Sequence, residues 1–275
     1  MNWPSFFLNV LGFVLLLGVL AWLGLPWWLA VLLVLLAPWW LGPVAVRVST
    51  RHPAEPRFEP YAPGPHQVPG WALEFLDRAT AGLTALGFTG GPRFVESTWV
   101  RNLTSVVTLL DAPDGRCVAM PAAIYMAGSG AGRRVAYVEF TSRLSDGRRL
   151  LTNNSPILSV FPDVPGKSVI HLGQVDDPAR LYRIHHTLVG RALPAAAEPV
   201  PREGDQAARL ARAMVQGVQE QLRTGYMRFD AEAREYRPTW KGAVLMSWKL
   251  LPPWRQIRQT RMGLRAARLL EELHV

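Results

Sequence analysis

The neighbouring histidines of the stretch RLYRIHHTLVGR, His185 and His186, are the side chains whose type best suits acid–base or metal chemistry. On a helix, adjacent side chains diverge by ~100°, whereas helical metal pairs stand three or four residues apart. Positions 181 and 189 are Leu and Val, so His185 has no carboxylate four residues away on its own face. The expectation is one histidine packed and hydrogen-bonded inside, the other in solvent. A hydrolase-like site would need His171, His185 or His186 to meet a carboxylate such as Glu139 or Asp176 from another element.

The remaining chemical candidates are weaker. AGSGAG, residues 127–132, imitates a phosphate-cradling loop, but such loops open onto a helix N-terminus. Here RRVAYVEF follows and reads as a strand, and the Walker lysine is missing. Cys117 is the single cysteine, which rules out an intrachain disulfide or a thiolate cluster, and its place in an expected strand implies packing. No G-x-S-x-G elbow occurs. Asp111, Asp114 and Asp146 belong to turns, and Asn153-Asn154 suits a turn or bulge. The inventory supports no catalytic residue, metal or cofactor. His171, His185, Glu139 and Tyr137 remain as ligand-binding candidates.

The elements that would position these groups follow an uneven distribution of charge. All 30 basic and 21 acidic residues lie beyond residue 46. The excess of +9 is carried by arginine, with lysine only at positions 167, 241 and 249, and Ala, Gly and Pro are abundant. That usage is typical of a GC-rich bacterial coding sequence. No groove-reading or base-stacking module accompanies the charge, so nucleic acid is not an expected partner.

Residues 1–46 read as a membrane hairpin. A spanning helix needs about 20 apolar residues, and Gly24-Leu25-Pro26 divides the segment into spans of about 4–23 and 27–46. Pro38 is expected to kink the second. Tryptophan favours the lipid–water boundary, so Trp22, Trp27 and Trp28 mark one edge and Trp3, Trp39 and Trp40 the other. A cleaved signal peptide would want a basic n-region and a small-residue cleavage site, and neither is present. Arg47, Arg51 and Arg57 follow the second span, which places the body in the cytoplasm by the positive-inside rule.

The body reads as α+β: an antiparallel meander sheet packed by helices. Residues 47–70 form a proline-rich spacer that lifts the body off the membrane. Residues 71–193 carry a helix with Phe75, Leu76, Ala79, Leu83 and Leu86 on one face, then strands hinged at two Asp-Gly turns. In the second hairpin Ala136, Val138 and Phe140 face a core, while Tyr137, Glu139 and Thr141 face the other way. A helix capped by Asp176 or Asp177 closes this unit, with Leu181, Ile184, Leu188 and Val189 inward. After a Pro/Ala linker at 194–204, residues 205–275 are helical, the first helix buried through Leu210, Met214, Val218 and Leu222.

In the last helix Arg258, Arg261, Arg265 and Arg268 share an arc of ~80°. It either covers the domain's own core or lies on a lipid surface. The function class these features suggest is a non-enzymatic binding or assembly module at the cytoplasmic face of a bacterial inner membrane. Its partners would be the bilayer and a protein or a second copy of the chain. The alternatives are the hydrolase-like enzyme and a small-ligand carrier.

Overall fold

The computed structural model describes residues 18–19, 22, 24, 26–64, 67–100, 102–126, 134–191, 197–198 and 205–273. The expected first span lies almost wholly outside these residues, as do Trp3, the 127–132 loop and most of the 194–204 linker.

Helix α1 (Trp27–Ser49) is the one described helix long and apolar enough to cross a membrane, so the described residues contain a single apolar helix in place of the expected hairpin. It continues through Pro38 and Pro43. Those residues bring no N–H, leaving the Val34 and Trp39 carbonyls without their i+4 donors. Only Ala30, Val34, Ala37 and Pro43 are buried along it.

The proline-rich segment that follows is extended but does not stand apart from the body. Strands β1 (His52–Pro53) and β2 (Glu59–Pro60) join two different sheets, each as an edge strand, where proline is tolerated. Between them Ala54 and Phe58 pack into core clusters, as do Tyr61 and Val68 beyond. The segment is a strap across the domain.

Helix α2 (Gly70–Thr84) buries Ala72, Leu76, Ala79 and Leu83. It stops before Leu86, which is exposed, and Gly87 turns the chain with a positive φ. Strands β3 (Thr89–Glu96), β4 (Leu103–Asp111), β5 (Cys117–Met126), β6 (Val135–Arg143) and β7 (Arg149–Asn153) form the antiparallel meander. Its two Asp-Gly turns are alike. The amides of Gly115 and Gly147 donate to the carbonyls of Ala112 and Leu144 (both 2.9 Å). The side chains of Asp114 and Asp146 accept from the amides two residues on, at 2.9 and 3.0 Å.

Strand β8 (Lys167–His171) departs from the expected meander, pairing parallel with β7 and making the seven-stranded sheet mixed. Parallel pairing needs a crossover of about a dozen residues or more, and residues 154–166 supply it.

Helix α3 (Pro178–Arg191) is capped by the Asp177 carboxylate, which accepts from the amides of Ala179 and Arg180. It packs with α2 on one face of the sheet, where Phe88, Leu110, Ala119, Val138, Phe140, Leu181 and Ile184 make the largest core. The other face is covered as well. Helix α4 (Gln206–Arg223), capped by Asp205, inserts Leu210 among Phe94, Val107, Leu109 and Ala122.

Strands β9 (Met227–Asp230) and β10 (Glu235–Pro238) complete the small sheet begun by β1. Helix α5 (Trp240–Leu250) packs along the end of α1. Helix α6 (Trp254–Leu273) returns to the large core, burying Ala266 and Leu273 and partly burying Leu269 and Leu270. The basic tail helix therefore covers the domain's own core. Arg261, Arg265 and Arg268 stay exposed, and Arg258 donates to the Ser159 carbonyl at 3.0 Å.

Candidate functional site

The sheet sorts the candidate residues by face. His185 lies in the α2/α3 core, 1% exposed. Its Nε2 stands 3.0 Å from Ser142 Oγ and its Nδ1 3.0 Å from Thr152 Oγ1. Because the Ser142 hydroxyl donates to the Arg116 carbonyl, Ser142 Oγ must accept from Nε2–H, leaving Nδ1 to accept from the Thr152 hydroxyl. The ring stacks on Phe140 at 5.8 Å.

Burial first, and the neighbouring His186 second, push the His185 pKa down to about 3. The Ser–His contact is thus a satisfied interior bond: Ser142 is 2% exposed, and the imidazole holds its proton too weakly for base work near neutrality. His186 is exposed. Cys117, on the same face, has its thiol raised to about 12 by burial, which leaves it inert.

Glu139, Asn153 and His171 fall in register across β6, β7 and β8 on the opposite face. Asn153 Nδ2 donates to Glu139 Oε2 at 3.1 Å. Burial raises the Glu139 pKa, opposed by Lys167 and by the Asn153 bond. Burial lowers that of His171; Arg258 lowers it further and Asp163 opposes them, while its Nδ1 is buried without a partner. Tyr137 shares this face and packs against the α4 cluster, with its hydroxyl pushed up by burial and then by Glu139. The polar side of β6 is therefore not open to solvent as an isolated edge hairpin would be. α4 and the 154–166 crossover overlie it, with Arg149 paired to Glu220 and Gln221 donating to the Pro162 carbonyl.

Of the two asparagines expected in a turn, Asn153 makes the local bond, its Oδ1 accepting from the Ser155 amide at 3.2 Å, whereas Asn154 ties distant segments together. Its Oδ1 accepts from the Val138 amide at 2.7 Å and its Nδ2 donates to the Val175 carbonyl at 3.0 Å. It also lines a half-open cleft of about 520 Å³ with Phe75, Arg78, Ala136, Pro156 and Asp176. Among the described lining residues Arg78 and Asp176 are the charged groups and none is a histidine, so the cleft can receive a polar ligand.

A second hollow, of about 190 Å³, has a different character. Arg47 in the last turn of α1 and Arg51 just beyond it meet Arg228 of β9 and Arg237 of β10 there. Arg237 is neutralised by Asp230 and Glu235. Arg47 donates to the Pro238 carbonyl at 2.8 Å and lies over the Trp240 ring at 4.8 Å. Among the boundary tryptophans, Trp22, Trp27, Trp28 and Trp40 are exposed and Trp39 is half-buried.

Sequence reasoning identified Arg47 and Arg51 but missed Arg228, Arg237 and His52. His52 is 5% exposed, bonded through Nδ1 to the Trp99 carbonyl at 2.9 Å and packed on the Trp99 and Phe161 rings. No local pattern marks these residues, because long-range strand pairing brings them together. Among the described residues no group of three His, Cys, Asp or Glu side chains is placed to hold a metal ion. The chain matches no family model, no curated protein and no solved structure.

Proposed function

We propose that this chain is a membrane-tethered, non-enzymatic binding or assembly module of a bacterial inner membrane, with its α+β body on the cytoplasmic side. The observation that carries the reading is the surface of α1. Its length and composition suit a bilayer, and Leu32, Leu35, Leu36, Leu41, Val44 and Val48 along it are exposed. In water that would be a large uncovered apolar patch; in lipid it is satisfied.

A first span over about 4–23 completes the tether as a hairpin. Ala30, Val34 and Ala37 lie on one buried stripe of α1, and the two alanines, small side chains two turns apart, suit the approach of a second helix. Orientation follows from Arg47, Arg51 and Arg57. The body then offers the 520 Å³ cleft to a protein partner or a second copy of the chain.

Alkaline carbonate extraction tests the tether. Membranes from cells making the full chain should retain it in the pellet, and its appearance in the supernatant would overturn the reading.

A further inference from the structure

Helix α5 retraces the last turns of α1 in the opposite direction. Arg47 of α1 meets Pro238 and Trp240 at the start of α5, while Gly42 faces Ser247 and Leu251 at its end. A Cβ at Gly42 would meet the Ser247 hydroxyl, which would have to turn aside, so the two helices approach closely there. The far end of α5 thus lies roughly 8 Å along the α1 axis from Arg47, counted at 1.5 Å per residue from Arg47 to Gly42.

The chain then turns at Leu250–Trp254, and this elbow is apolar and uncovered. Trp240, Val244 and Trp248 recur every fourth residue along α5 and are 56%, 41% and 46% exposed; Leu250 and Trp254 at the elbow are 50% and 46%. The Trp248 and Trp254 rings stack across the turn, 6.5 Å apart and nearly parallel. The stretch of α1 beside the elbow is apolar and exposed as well, at Trp40 and Val44. At its upper rim stand Arg47, Arg51 and Arg228 of the basic hollow and Lys241, which lies over the Tyr226 ring.

We propose that the α5–α6 elbow is a wedge set into the headgroup–acyl boundary of an anionic bilayer, the same bilayer that α1 crosses. Resting on the tether reading, it adds a second membrane contact that the tether does not require. Three features select lipid over a protein occupant. The apolar elbow packs directly beside α1, and its depth below Arg47 matches the ~5–10 Å to which interfacial helices sink. Its tryptophans and basic rim are the residues such boundaries favour.

Because Cys117 is buried with an inert thiol, single cysteines at Leu250, Val244, Leu35 and Thr187 can each carry an environment-sensitive nitrobenzoxadiazole label in the full chain. The labelled proteins are placed in nanodiscs of phosphatidylglycerol and phosphatidylethanolamine, with lipids brominated near the headgroup or deep in the acyl chain. Matching helical circular dichroism spectra certify each labelled fold.

The label at Leu250 should be quenched by shallow bromines and reduced by aqueous dithionite several-fold more slowly than the label at Thr187 on α3. The label at Val244 should follow it, and the label at Leu35 should be quenched by deep bromines. If Leu250 and Val244 behave like Thr187 while Leu35 keeps its deep quenching, the wedge is wrong and the tether stands. Shielding from dithionite at Leu250 without bromine quenching would mean a protein covers the elbow, again overturning the wedge. Loss of deep quenching at Leu35 removes the tether and the wedge together.

Discussion

His185 illustrates how a residue chosen for its chemistry becomes a structural one. Two hydroxyls and the Phe140 ring hold it neutral, and protonation in place is opposed by burial and by His186. Its folded pKa, about 3, lies below its ordinary 6.5, so below that ordinary value the unfolded chain binds the proton that the folded chain refuses. The stability this linkage contributes is complete above about pH 6.5 and is lost as pH falls towards 3, at up to ~1.4 kcal/mol per pH unit for one proton. His52 and His171, also lowered by burial, act in the same direction. Urea midpoints of the detergent-solubilised chain should fall between pH 7 and pH 5. The slope should be shallower for His185→Gln, whatever that substitution costs at pH 7. An unchanged slope would show that His185 is not the proton acceptor.

At the scale of elements, α4 is the piece that turns a one-sided hairpin sheet into the middle of a three-layer body. Its hold is specific: Arg209 makes two bonds to Asp111 at the end of β4, 3.0 and 2.7 Å, with both side chains nearly buried. Replacing one partner of such a pair leaves the other charge buried alone, at a cost of about 3–5 kcal/mol. Asp111→Ala should therefore lower the free energy of unfolding by that amount, measured by urea titration. The doubly altered Asp111→Leu/Arg209→Met should recover much of it. If Asp111→Ala costs less than about 1 kcal/mol, the Arg209–Asp111 pair is not what holds α4.

The same helix explains what the sequence did and did not disclose. The two hairpins were legible because Asp114-Gly115 and Asp146-Gly147 encode their own turns, and α3 was legible because Asp177 caps it and Leu181 and Ile184 repeat at helical spacing. Alternation along β6 separated Val138 and Phe140 from Tyr137 and Glu139. It carried no sign that α4 would cover the second group, nor that β8 would pair in parallel. Both depend on contacts between segments far apart in the chain. His171 could not be placed beside Glu139 from sequence for the same reason, since Asn153 joins them only through strand register.

For the whole molecule, sidedness is the property on which the proposed function depends. Arginine gathers where α1 leaves the apolar region, and the fold adds Arg228 and Arg237 to Arg47 and Arg51 at the same point. The proposed cytoplasmic side rests on Arg47, Arg51 and Arg57, the arginines close in sequence to the end of α1. A green fluorescent protein fused after Val275 should glow, and alkaline phosphatase fused there should be inactive. The reverse pattern would place the body on the other side.

The strap from Arg51 to Pro69 has a mechanical consequence. It leaves α1 and is at once stitched to the small sheet by His52 and to the large sheet by Glu59, with Phe58 locked between. The junction is pinned at both sheets, so with α1 as the proposed anchor the body could not swivel as a tethered bead would. It would diffuse in the membrane plane with one fixed aspect outward, and any docking protein would meet it at constant height and tilt.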